Sequence, residues 1–260
     1  MDTNTISRDG THIAYQRTGE GPAVVLVSGA MSTGATLAPL AAALSDRFTA
    51  IVYDRRGRGA SGDTQPYAVA REVEDLGAVI EAAGGEAAVY GVSSGGALVF
   101  HAAASGLPVR QVAVYEPPFA DYSPGGEPER AEYTANLGEA LAQGRRGDAV
   151  ELFLRLTGLA PGIIATARES SMWPGMEAIA PALAYDDAVM GDGLVPRRLL
   201  ASVTVPVLAL AGGASPRWLR QAAEAAAQAV PQGVYRTLED QTHAVEPEVL
   251  APVLAEFFGR

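Results

Sequence analysis

Ala87-Ala88-Val89-Tyr90-Gly91-Val92-Ser93-Ser94-Gly95-Gly96 passes directly from an apolar segment into small residues. Ala87 to Val92 reads as a strand and Ser94 to Ser105 as a helix, which leaves Ser93 alone at the apex of the turn. Gly91 and Gly95 flank it in a G-x-S-x-G pattern, the nucleophile elbow. The spacing has a mechanical reason. A strand-to-helix turn this sharp crowds side chains two residues either way and forces the serine into strained backbone. The hydroxyl then stands above the sheet at a helix N-terminus, whose partial positive charge favours an oxyanion. The bland alternative is a small-residue turn that serves only tight helix–strand packing. The strand before and the helix after favour the nucleophile.

The alternation continues on both sides. Toward the N-terminus, Thr11–Tyr15, Ala23–Val27 and Phe48–Tyr53 read as strands, and Ala23–Val27 is a continuous run of the kind buried on both faces. Leu37–Leu44 and Tyr67–Ala83 read as helices, with Gly84-Gly85 as a stop. Toward the C-terminus, Val109–Tyr115 is a strand ending at Glu116-Pro117-Pro118. From Pro117 to about Leu200 there are helical segments at 127–143, 147–156 and 177–188 but no convincing strand. A strand over Val205–Ala211, a helix over Pro216–Ala229, a strand over Gly233–Leu238 and a helix over Glu246–Phe258 then resume the rhythm. This is an α/β pattern, a mostly parallel sheet with helices on both faces. Residues 1–116 and 201–260 form the core. Residues 117–200 form a helical insert after the Val109–Tyr115 strand rather than an independent domain. Such inserts sit over the carboxyl ends of strands, where ligands bind, so this one reads as a lid.

Composition narrows the chemistry. Of 260 residues, 48% are apolar and 19% charged, a globular balance. Nineteen cations, all arginine, face 30 carboxylates, a net charge of −11 that argues against nucleic-acid or anionic-membrane partners. Cysteine is absent, which removes disulfides, thiol catalysis and Cys-based metal sites. The three histidines, His12, His101 and His243, show no helical zinc spacing, and no metal or cofactor is expected. The start of the chain is polar and no run of eighteen apolar residues occurs, so a cytoplasmic protein without a membrane partner is expected.

A serine hydroxyl needs a base. His243 follows the last strand and precedes the final helix, whereas His101 lies within the helix after Ser93 and His12 in the first strand region. His243 is the candidate base, against the alternative of a solvated loop histidine. An oxyanion needs two backbone donors. Ser94 N–H is one, and Ala30 N–H, in the loop after Ala23–Val27, is the other; the alternative there is an ordinary strand-to-helix turn.

Taken together, VVLVSGA (24–30), YDRRGRGAS (53–61), GVSSGG (91–96) and DQTHAV (240–245) resemble the α/β-hydrolase superfamily. The similarity is greatest to its small lidded esterase, haloperoxidase-like and haloalkane-dehalogenase-like branches, over nearly the whole chain except the insert. The resemblance implies an eight-stranded sheet and a Ser–His–acid triad in chain order. It implies a structural role for the turn Asp54–Gly59. Two departures stand out. Ser28 occupies a place where the family often has His. The usual acid, an Asp after the seventh strand, is missing: the loop reads Ala211-Gly212-Gly213-Ala214-Ser215-Pro216, with Ser215 at the expected spot. A serine cannot stabilise an imidazolium as a carboxylate does. Glu116, at the end of the neighbouring sixth strand, is the expected substitute. Asp186 and Asp187 in the insert are distant rivals, and Asp240 is too near His243 in sequence to orient it.

Gly57-Arg58-Gly59-Ala60-Ser61-Gly62 also matches G-x-G-x-x-G. A dinucleotide fingerprint opens a helix at once. Here Asp63-Thr64-Gln65-Pro66 intervenes, so cofactor binding is not expected. The insert supplies Phe119, Tyr122, Tyr133, Phe153, Met172, Trp173, Met176, Tyr185 and Met190 as lid packing or pocket lining. Trp173, Trp218 and Met31 are the candidate pocket residues. The expectation is a cofactor-independent serine hydrolase, monomer or homodimer, that cleaves a small apolar ester or lactone. A tailoring enzyme performing cyclisation, elimination or acyl transfer, or a non-catalytic binder on the same fold, are the alternatives.

Overall fold

The computed structural model describes residues 3–120 and 126–260. Its strands are β1 (Thr3–Ile6), β2 (His12–Thr18), β3 (Ala23–Val27), β4 (Thr49–Tyr53), β5 (Ala87–Val92), β6 (Val109–Tyr115), β7 (Val207–Gly212) and β8 (Gly233–Leu238). They form one sheet in the order β1-β2-β4-β3-β5-β6-β7-β8. The β1–β2 and β2–β4 pairings are antiparallel and the other five are parallel. Strand order reverses between β3 and β5, so β3 and β5 run side by side and both end at one edge of the molecule.

All five residues of β3 and all five of β4 are buried, because helices cover both faces of the sheet. On one face Val25, Val27, Ile51 and Val89 pack against α2 (Val69–Ala82), α3 (Ser94–Ala104) and α10 (Arg217–Ala229). On the other Val24, Leu26, Val52 and Tyr90 pack against α1 (Ala38–Leu44) and α11 (Pro247–Phe258). The period-2 alternation of the strands thus sorts their side chains into two cores.

The insert contains α4 (Gly126–Ala142), α5 (Arg146–Leu156), α6 (Pro161–Arg168), α7 (Trp173–Ile179), α8 (Leu183–Met190) and α9 (Arg197–Leu200). It builds its own apolar cluster from Tyr133, Leu137, Val150, Trp173 and Leu183. Tyr122 lies outside the described residues. Where the sequence suggests one helix over 177–188, the structure has α7 and α8 separated by a 3₁₀ turn at Ala180–Ala182, where Pro181 lacks an amide donor. β1 and α6 were not expected. β1 is an edge strand with mostly exposed side chains, and Ile164 is the one buried residue of α6.

The turn after β4 buries three arginines completely. Arg55 forks onto Glu72 of α2, with Nε and Nη2 donating at 2.7 and 2.8 Å. Arg56 forks likewise onto Asp75 at 2.7 Å and reaches Asp9 at 3.0 Å. Arg58 and Arg55 both donate to Asp186 of α8 at 2.8 Å, and the Tyr67 and Tyr185 rings stack at 3.9 Å beside them. These contacts lock α8 to the sheet. Burial alone would push the Glu72 and Asp186 carboxyls up, but the Arg55 and Arg58 guanidiniums outweigh it and hold both below the usual carboxylate range. Their stabilisation is therefore complete above about pH 4, where carboxylates ionise in the unfolded chain, and drains as pH falls through the depressed folded values. Glu72→Gln should cost roughly 3–5 kcal/mol at neutral pH, since it leaves the buried Arg55 and Arg58 guanidiniums to share the single carboxylate of Asp186. Denaturant unfolding of both proteins from pH 7 down to 2 checks this: the gap should narrow in acid, and a constant gap refutes the linkage.

Candidate active site

Ser93 sits between β5 and α3 with φ +55° and ψ −129°, a backbone region that L side chains avoid. Four non-glycine residues in the described chain have positive φ: Met31, Ser93, Glu116 and Asp240. Ser93, Glu116 and Met31 are candidate site residues, and Asp240 opens the turn that carries His243. Backbone strain of this kind persists where surrounding contacts over-determine it. Gly95 shows how tight the turn is: a Cβ there would stand 2.5 Å from the carbonyl oxygens of Val27 and Ser28. At Gly29 a Cβ would stand 2.9 Å from the Cβ of Ser93, so the loop after β3 passes directly against the serine.

Glu116 directly follows β6 and its side chain is fully buried. Its Oε1 accepts from the Gly212 N–H at the end of β7, 2.8 Å away. Its Oε2 accepts from His243 Nδ1 at 2.7 Å. A carboxylate facing Nδ1 holds the proton on that nitrogen and leaves Nε2 as the basic one. The His243 side chain is 44% exposed while its partner is sealed, so the ring has one face for a reactant and one for its anchor. Ser215 is buried, but its hydroxyl carries no hydrogen bond. Asp186 is bonded to Arg55, Arg58 and Ser94 instead of to the histidine.

Tyr115 joins the two halves. Its carbonyl accepts the Ser93 N–H at 2.9 Å, and its hydroxyl donates to the Thr242 carbonyl at 2.6 Å. Its ring lies 6.5 Å from that of His243. Burial and the Glu116 charge push the Tyr115 phenol well up, so it remains a donor. The Gln241 carbonyl also accepts the Ala214 N–H at 2.9 Å, which fixes the histidine loop to the end of β7. Sequence reasoning did not single out Tyr115 for this role. Its position immediately before Glu116, aromatic at a strand end, is the only signal it leaves.

Ala30 lies on the loop after β3, and Ser94 opens α3 immediately after Ser93. Ala30 and Met31 pack against the apolar cluster of the insert that contains Trp173. Trp173 itself is buried there, with the Arg168 guanidinium 5.6 Å from its ring centre. Trp218 stands apart, half-exposed in the first turn of α10. The glycines of 57–62 serve a structural turn. The Asp54 carboxylate accepts the Gly34 and Ala60 N–H groups at 2.8 Å, and no helix opens before Val69. His101 Nε2 lies 3.2 Å from the Val189 carbonyl, between α3 and α8. Among the described residues, no group of His, Asp and Glu has the arrangement to hold a metal ion, and no helix is long and apolar enough to cross a membrane.

The chain is 52% identical to an alpha/beta hydrolase from Sphaerobacter thermophilus of known structure, with a TM-score of 0.89 over 98% of this chain and all of the other. It is 32% identical over 237 residues to a pimeloyl-[acyl-carrier protein] methyl ester esterase of Xanthomonas campestris, covering 87% of this chain and 89% of that protein. An enol-lactonase from Burkholderia xenovorans shares the fold, with a TM-score of 0.70 at 21% identity over 99% of this chain and all of the other. A sequence profile of the alpha/beta hydrolase family matches residues 24–253, and with the elbow, the sheet order and these relatives in agreement, the chain belongs to the alpha/beta hydrolase family.

Proposed function

We propose that this protein is a cofactor-independent serine hydrolase that cleaves an apolar ester or lactone through an acyl-enzyme on Ser93. The observation that carries the reading is the 2.7 Å contact between His243 Nδ1 and the sealed Glu116, set at the strand ends beside the strained serine. The methyl ester esterase of Xanthomonas supports an ester substrate.

In the first half-reaction His243 Nε2 takes the Ser93 proton as Oγ bonds to the carbonyl carbon. The carbonyl electron pair moves onto oxygen, where the Ala30 and Ser94 N–H groups receive it. Glu116 holds the imidazolium. The intermediate collapses, the alkoxide leaves with the proton from His243, and the acyl group stays on Ser93. Water then attacks with His243 as base, and the acid departs as the Ser93 hydroxyl is restored. Residues 1–116 and 201–260 supply this machinery, and residues 117–200 act as the lid. Met31 and Trp173 supply an apolar wall.

The test is a fluorophosphonate probe followed by peptide mass mapping, then a chain-length series of p-nitrophenyl esters. Ser93 should be labelled once per chain, and turnover should peak at an apolar acyl group. A folded protein that takes no probe at Ser93 refutes the reading.

A further inference from the structure

The Gly29 carbonyl accepts two hydrogen bonds, from Arg58 Nη1 at 2.8 Å and Ser32 Oγ at 2.7 Å. In a trans peptide the C=O and the next N–H point in opposite directions. Whatever grips the Gly29 oxygen therefore aims the Ala30 N–H. A guanidinium on that oxygen also draws charge through the amide and strengthens the N–H as a donor. On the other flank of the elbow, the Ser94 hydroxyl donates to Asp186 Oδ1 at 2.7 Å. The same carboxylate oxygen accepts from Arg58 Nη2 and Arg55 Nη1, both at 2.8 Å. Arg55 Nη1 reaches the Ser28 carbonyl at 3.3 Å as well. Both backbone donors assigned to the oxyanion thus lead back to one carboxylate, and that carboxylate belongs to helix α8 of the insert.

We propose that Arg58 and Asp186 are positioning residues for the oxyanion hole, so that the docked insert sets how strongly the hole holds a tetrahedral intermediate. The proposal rests on Ala30 and Ser94 being the oxyanion donors. Arg58 and Asp186 are assigned to act through the two N–H groups and not by contact with substrate. Both are buried behind the elbow, where a fixed geometry costs nothing at the moment of reaction. The charges explain why the device is stable. Arg55 and Arg58 are matched by Glu72 and Asp186, so the cluster is neutral as a whole.

That balance dictates the test variant. Arg58→Met combined with Asp186→Asn removes one charge of each sign and leaves the Arg55–Glu72 fork and an acceptor for Ser94. Its kcat and KM for p-nitrophenyl butyrate are measured per active site, counted by fluorophosphonate titration. Affinity is also measured for a trifluoromethyl ketone, whose adduct on Ser93 carries an oxyanion. The expected result is a kcat about 10- to 100-fold lower with KM changed less than about threefold, and ketone affinity falling in step with kcat/KM. The pH profile of kcat/KM should keep its shape, because the variant leaves the Glu116–His243 contact in place. A kcat per active site equal to wild type, or a loss confined to KM, overturns the proposal. If the double variant does not accumulate as folded protein, Arg58→Gln is measured and judged by the same outcomes. An active Ser93→Ala protein would sink the hydrolase reading itself, whereas an inactive Ser93→Ala with full kcat in the paired variant sinks this proposal alone.

Discussion

Ser93→Ala should lower kcat/KM for ester cleavage by about 10⁴- to 10⁶-fold while the protein stays folded. Alanine keeps the β-carbon and removes only Oγ, so the packing against Gly29 and the backbone bond to Tyr115 survive. What remains is a site that can still bind a carbonyl but has no group to attack it. KM should change little, because the lost interaction forms only as the bond forms. Stopped assays with freshly purified variant, alongside circular dichroism, decide the matter. Residual activity above one-hundredth of the parent would mean that the acyl-enzyme route is wrong.

Glu116→Gln should cost about 10²- to 10⁴-fold in kcat, and the geometry says why the near-isosteric change is so harmful. The Gly212 N–H donates to Oε1. An amide at 116 must present its carbonyl oxygen to that donor, which turns its NH₂ toward His243 Nδ1. The histidine then accepts at Nδ1 and carries its proton on Nε2, the wrong tautomer for a base. Ser215→Ala should retain nearly full activity, because the hydroxyl makes no hydrogen bond where the family's acid is usually found. Equal losses in the two variants would point to a shared structural effect and remove Glu116 from its assigned role. The expected contrast is measured by kcat at neutral pH for both.

Much of the architecture is readable from local pattern. β3 and β4 are continuous apolar runs because both faces of the sheet are covered, and that is a property of sequence alone. β1 escapes because Thr3–Ile6 has no buried side to leave a hydrophobic signature; only backbone pairing with His12–Tyr15 defines it. Ser93 is legible because its turn is local. Glu116 becomes a candidate only by comparison with a family pattern whose usual acid is replaced in this chain by Ser215. The Arg58–Asp186 contact joins residues 128 apart in sequence, and no periodicity encodes how an insert docks. From sequence Asp186 is a distant rival for the acid, and only tertiary packing shows that its partners are Arg55, Arg58 and Ser94.

Alanine at 93 still bears a β-carbon in a conformation near φ +55°, whereas glycine occupies that conformation freely. An inactive Ser93→Gly protein should therefore survive heating longer than its active parent. The strained turn at 93 is then a standing stability cost carried by the fold at its proposed nucleophile, present whether or not the protein turns over.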